Sequence, residues 1–101
     1  MKKIINGKLY DTDTAKAIAG KEENYGRNDF RTFCETLYKK KTGEYFLAGK
    51  GGPLTKYVDN CNGLKGFGEA IIPLTTKEAK SWVETNLPAE AYIDLFGEPE
   101  E

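Results

Sequence analysis

The chain has 101 residues, 39% hydrophobic and 31% charged, and its 15 basic and 16 acidic side chains leave a net charge of −1. That length fits one domain, expected over residues 1–97 with a short acidic tail at 98–101. Histidine is absent and Ser81 is the only serine, which removes His-dependent acid–base catalysis, Ser–His triads and His-containing metal sites.

No apolar stretch approaches the ~20 residues of a membrane-spanning helix. Met1-Lys2-Lys3 has the look of a signal-peptide start, but Asn6-Gly7-Lys8 stands where the apolar stretch should follow. A cytoplasmic location is therefore expected. The near-zero net charge hides a split. Residues 1–65 carry 13 Lys or Arg and 8 Asp or Glu, whereas residues 66–101 carry 2 and 8. Such a dipolar chain can steer a charged partner.

In chain order, Ile4-Ile5-Asn6-Gly7-Lys8-Leu9 predicts a small hairpin, because Asn-Gly tolerates the positive φ angles of a type I′ turn. Tyr10 to Thr14 is dense in side chains that cap helices, and Ala15, Ile18 and Ala19 then predict a short N-terminal helix ended by Gly20. Lys21 to Arg31 is polar and predicts a loop. Thr32 to Tyr38 and Glu44 to Ala48 predict two strands, joined by Lys41-Thr42-Gly43 with Gly43 in the left-handed position. Alternation places Tyr45 and Leu47 on one face and Phe46 and Ala48 on the other, so this strand is covered on both sides or open to a partner on one. Leu54 to Val58 predicts a third strand, Asp59 to Gly68 a loop or wide hairpin turn, and Glu69 to Ile72 a fourth strand closed by Pro73.

Thr75 and Glu78 form a capping box ahead of a helix that carries Ala79, Trp82, Val83 and Leu87 on one side. Pro88 opens a second helix, with Tyr92, Leu95 and Phe96 buried and Gly97 its stop. The expected fold is α+β: an antiparallel sheet of about four to five strands, a short N-terminal helix, and two C-terminal helices on one face.

Chemistry-bearing patterns are sparse. Gly43 to Gly52 misses the Walker A spacing, and Gly63 to Gly68 opens no helix, so neither is a nucleotide loop. Cys34 and Cys61 are the only thiols, and they read as small buried hydrophobes rather than a bridge or zinc site. Asp11 with Asp13 and Glu35 with Glu44 are the only carboxylate groupings suggestive of a Mg²⁺-dependent nuclease. No catalytic residue, metal or small-molecule cofactor is expected. The binding candidates are Tyr38, Lys39, Lys40, Lys41, Tyr45, Lys50 and Lys56, where lysines interleave with aromatics, together with the acidic Glu90 and Asp94. With only Arg27 and Arg31 available, bidentate readout of phosphate or guanine is poorly supplied.

Three stretches carry a resemblance across most of the chain: Asn6-Gly7-Lys8-Leu9-Tyr10-Asp11-Thr12-Asp13-Thr14-Ala15; Glu35 to Leu47, continuing to Gly51-Gly52-Pro53; and Pro73-Leu74-Thr75-Thr76-Lys77-Glu78-Ala79 with Trp82. Together they resemble small proteins carried by mobile elements and phages of Gram-positive bacteria, among which anti-CRISPR inhibitors of Cas9 occur. The resemblance implies a non-enzymatic inhibitor that binds a CRISPR effector such as Cas9, alone or with its guide RNA; no membrane partner is expected, since no apolar run is long enough to span one. Two alternatives stay open: an RNA- or single-strand-binding module using the Lys/Tyr hairpin, and a metal-dependent nuclease acting on guide RNA.

Overall fold

The computed structural model describes residues 1–23, 30–52, 55–57, 59–61, 64–66 and 68–101. Strands β1 (Lys2–Ile5) and β2 (Lys8–Asp11) form the expected hairpin, turning at Asn6 and Gly7 with φ of 52° and 78°. Strands β3 (Lys16–Glu23), β4 (Phe33–Lys39), β5 (Tyr45–Gly51) and β8 (Gly68–Leu74) make an antiparallel sheet in the order β3-β4-β5-β8. Strands β6 (Asp59–Cys61) and β7 (Leu64–Gly66) pair as a separate short ribbon. Helices α1 (Thr76–Asn86) and α2 (Ala89–Phe96) follow. The architecture is α+β with an antiparallel sheet and two C-terminal helices.

No N-terminal helix forms; that segment is β3. Ala15, Ile18 and Ala19 fit a helical stripe, but a helix of about two turns is marginal on its own. Pairing with β4 from Lys16↔Lys39 to Glu23↔Phe33 gives the same residues a ladder. A register shift between Ala17 and Ala19 lets both Ile18 and Ala19 pack toward the helix-side core. The capping side chains serve a turn instead: Asp11 Oδ1 accepts the Asp13 N–H at 2.9 Å, and the Ala15 N–H donates to the Asp11 carbonyl at 3.1 Å.

Three further expectations change. The loop expected at 21–31 begins as strand up to Glu23, and residues 24–29 lie outside the described residues. Of the strand expected at 54–58, residues 55–57 form a turn, while 54 and 58 lie outside the described residues. The stretch expected at 59–68 as a loop or wide hairpin turn carries the antiparallel pair β6 and β7, with residues 62, 63 and 67 outside the described ones. The last strand also runs through Pro73 to Leu74. Because β8 is an edge of the sheet, the missing N–H of Pro73 is tolerated there.

The alternation in β5 sorts two cores. Tyr45 and Leu47 join Leu37, Ala79, Trp82 and Val83 beneath the helices. Phe46 and Ala48 join Tyr10 and Ile71 beneath the β1–β2 hairpin, with Ile5, Ala15 and Tyr38 packed around them. So β5 is covered on both sides, and five consecutive residues, Tyr45 to Gly49, are buried. Gly43 takes a φ of 94° in the β4–β5 turn, as expected for a left-handed position. The capping box is complete: Glu78 N–H donates to Thr75 Oγ1 at 3.1 Å, and Thr75 N–H donates to Glu78 Oε1 at 2.9 Å.

Candidate interaction surface

The lysine-rich turn is a direct product of the β4–β5 hairpin. The Lys40 N–H donates to the Glu44 carbonyl at 2.8 Å and the Gly43 N–H to the Lys40 carbonyl at 2.9 Å, so Lys41 and Thr42 project at the tip. Lys41 is exposed, while the ammonium groups of Lys39 and Lys40 lie over rings, at 5.6 Å from the Tyr45 centroid and 3.9 Å from the Tyr10 centroid. Lys40 also reaches Glu44 Oε1 at 3.4 Å. From the other hairpin, Lys8 Nζ donates to Glu44 Oε2 at 2.9 Å. The Lys8 hydrogen bond holds the Glu44 carboxyl below its ordinary range, and the same bond raises Lys8. These contacts join the β1–β2 hairpin to the β4–β5 turn.

The aromatic candidates behave differently from the lysines. Tyr45 is 4% exposed and packs on Phe96 at 5.6 Å between centroids. Tyr38 stacks on Phe46 at 5.2 Å with an interplanar angle of 9°. Both rings therefore belong to the cores, and Tyr45 cannot stack on an incoming base without opening one. Lys50 is exposed toward the opposite end of β5. It lines a surface groove with Glu22, Cys34 and Glu69, which follow one another by cross-strand register. Cys34 is a half-buried free thiol. Glu90 and Asp94 are exposed on α2.

Lys56 belongs to a different constellation, centred on a residue that sequence reasoning had placed only in a carboxylate pair. Glu35 and Glu44 do not face each other. Glu35 registers with Gly49 in the middle of the hairpin, and Glu44 sits in its turn. The Glu35 carboxylate is buried in the helix-side core. It accepts from Lys56 Nζ at 2.7 Å (Oε2) and 3.1 Å (Oε1), from the Tyr57 hydroxyl at 2.5 Å, and from Trp82 Nε1–H at 3.2 Å. Burial pushes this carboxyl up, but the hydrogen bonds from Lys56, Tyr57 and Trp82 outweigh it and hold the group below its ordinary value of 4.5. Burial and the Glu35 contact drive the Tyr57 hydroxyl far above its ordinary range, so it remains a donor. Gly49 makes room: a Cβ there would lie 2.6 Å from both the Cys34 carbonyl oxygen and Tyr57 Cζ.

The one sequence signal for this node was alternation. Glu35 shares the phase of Leu37 in a strand with a buried face, so its side chain had to point into a core and find donors. Asp11 and Asp13, the other carboxylate grouping, are joined by the turn bond described above. Among the described residues, no group of three or more Cys, Asp or Glu is placed to hold a metal ion, and no helix is long and apolar enough to cross a membrane.

No family model, no curated protein and no solved structure matches the chain.

Proposed function

We propose that this protein is a non-enzymatic inhibitor of a CRISPR effector nuclease, Cas9 first, and that it acts by docking on the effector or its ribonucleoprotein. The reading rests on the sequence resemblance to small mobile-element proteins. The structural observation that supports it is the lysine-bearing turn, where Lys8 of one hairpin and Lys40 of the other both reach Glu44 and Lys41 is exposed.

The buried carboxylate of Glu35 has its oxygens engaged by three donor side chains, which is the arrangement of a structural acid held ionised. The exposed Lys41 and the partly shielded Lys39 and Lys40 supply positive charge that steers association. Purified protein added to several Cas9–guide complexes before DNA should suppress cleavage. Changing Lys39, Lys40 and Lys41 together to Glu should weaken that suppression, and added salt should weaken it too. Undiminished cleavage across all the effectors tried would remove the proposal.

A further inference from the structure

The two helices carry charge where helix chemistry disfavours it. Residues 81–101 contain six carboxylates, Glu84, Glu90, Asp94, Glu98, Glu100 and Glu101, and no basic side chain. All six are exposed, and none enters an ion pair or a side-chain hydrogen bond among the described residues. Glu84 lies in the last turn of α1 and Asp94 in the last turn of α2, and neither turn has a basic residue. Negative charge is unfavourable at a helix C-terminus, and Glu90 and Asp94 repel each other one turn apart. The last base before them, Lys80, has its ammonium 5.6 Å from the Phe96 ring centroid. These carboxylates surround an apolar groove of about 280 Å³ between the end of α1 and α2. Its lining includes Leu87 and Tyr92, which pack on the helix-side core, with Pro88, Pro99 and the 36%-exposed Ile93. Glu84 lines the same groove, and Glu98 and Glu100 flank Pro99 in the chain. Glu90 precedes Ile93 by three residues and so sits beside it on the α2 surface.

We infer that this groove docks a basic segment of a partner protein, with an aliphatic side chain filling the groove and lysines or arginines meeting the carboxylates around it. The contact is separate from the lysine-bearing turn. It goes beyond the inhibitor reading and does not rest on it. An apolar centre inside a charged rim is the usual anatomy of a specific protein interface, and here the sign of the rim selects the occupant. Six carboxylates without counter-charges repel phosphate, so nucleic acid and anionic lipid are poor ligands. The carboxylates are also spread over two helices and the tail: among the described residues, no group of three or more Cys, Asp or Glu is placed to hold a metal ion. A basic protein segment gains attraction from acids that have no partner of their own, and its aliphatic anchor gains burial against Ile93. Glu84 and Asp94 weaken their own helix ends, and such a local conflict is the kind that a binding site retains.

The probe is a short peptide alternating lysine with leucine. An oligolysine of equal charge and a peptide alternating glutamate with leucine are the controls. Binding is followed by calorimetry and by amide shifts in α1 and α2, and thermal unfolding checks that each variant is folded. The Lys/Leu peptide should bind. Oligolysine should bind about tenfold more weakly, the loss expected for one buried aliphatic anchor, and the Glu/Leu peptide not measurably. The double variant Glu84→Gln, Asp94→Asn should weaken binding roughly fivefold, as for two exposed ion pairs. Its melting temperature should hold or rise, because both charges oppose helix dipoles. Ile93→Asp adds negative charge but removes the apolar contact, so it too should bind more weakly, whereas Ile93→Leu should match wild type. Failure of the Lys/Leu peptide to bind would overturn the proposal. So would equal binding of oligolysine or undiminished binding by folded Ile93→Asp, either of which would leave only diffuse charge attraction. Wild-type affinity in Glu84→Gln, Asp94→Asn would overturn the part given to the carboxylates. Self-association of the wild type that these variants abolish would make a second copy the occupant in place of another protein. Cas9 inhibition is read in its own cleavage assay, so its failure would leave these outcomes untouched.

Discussion

Replacing Glu35 with alanine should be among the most costly single changes in this chain, and the cost can be worked from its contacts. The substitution orphans two buried donors, the Tyr57 hydroxyl and the Trp82 indole N–H, at about 1–3 kcal/mol each. The Lys56 side chain is 45% exposed and can turn to water, so its loss adds little. A total of about 4 kcal/mol results, a large share of the ~5–15 kcal/mol that holds a domain together. At this size that lowers the melting temperature by roughly 15–30 °C. Trp82 is the only tryptophan and itself touches Glu35, so its fluorescence during urea unfolding reports the transition directly. Tyr57→Phe removes one donor to a charged acceptor and should cost about 1.5–3 kcal/mol. The double variant Glu35→Ala, Tyr57→Phe should cost less than the sum, because the phenylalanine has no hydroxyl to orphan. A Glu35→Ala loss below about 1 kcal/mol, or strict additivity of the pair, would refute the account of Glu35 as the hub.

Four other outcomes follow from the structure. Because the folded-state pKa of Glu35 lies below its ordinary value of 4.5, its contribution is complete above that value and is lost as the pH falls through the lower, folded value; acid unfolding of Glu35→Gln should have a shallower slope. Tyr57 has the opposite linkage. Its pKa is raised, so its contribution is lost as pH rises above the ordinary value of 10.0, and urea midpoints at alkaline pH should fall less in Tyr57→Phe than in wild type. Gly49→Ala forces a methyl group to within 2.6 Å of the Cys34 carbonyl oxygen and the Tyr57 ring. It should destabilise by about 3 kcal/mol and, if Tyr57 is displaced, shift Trp82 emission; retention of wild-type stability would contradict this packing. Thr75→Ala should cost about 1 kcal/mol through loss of the N-cap, visible as a lower urea midpoint at unchanged slope.

The features legible in the sequence were those decided within a few residues. The Thr75–Glu78 capping box, the Asn6-Gly7 turn and the left-handed Gly43 depend on local backbone chemistry, and all three stand where expected. The inward and outward phases of β5 were also readable, since alternation needs no knowledge of the partner strand. The expected helix at Ala15 to Gly20 failed because its apolar spacing was too short to exclude a strand, and a ladder with β4, distant in sequence, outweighed local preference. The Glu35 hub lay further beyond reach. Its donors come from positions 21, 22 and 47 residues away, and no local pattern announces which chain segments will meet. For the interaction surface, the lysines of the turn were visible, but Tyr38 and Tyr45 went to the cores.

The position of β5 between two cores has a consequence for how the molecule comes apart. Its odd-numbered side chains anchor the helices and its even-numbered ones anchor the amino-terminal hairpin, so a slip of one residue would exchange the two sets wholesale. Neither layer can peel away without stripping a row of aromatic and aliphatic groups from the same backbone. Slow-exchanging amides should therefore concentrate along this strand and vanish together, marking it as the last segment to yield when the protein is strained.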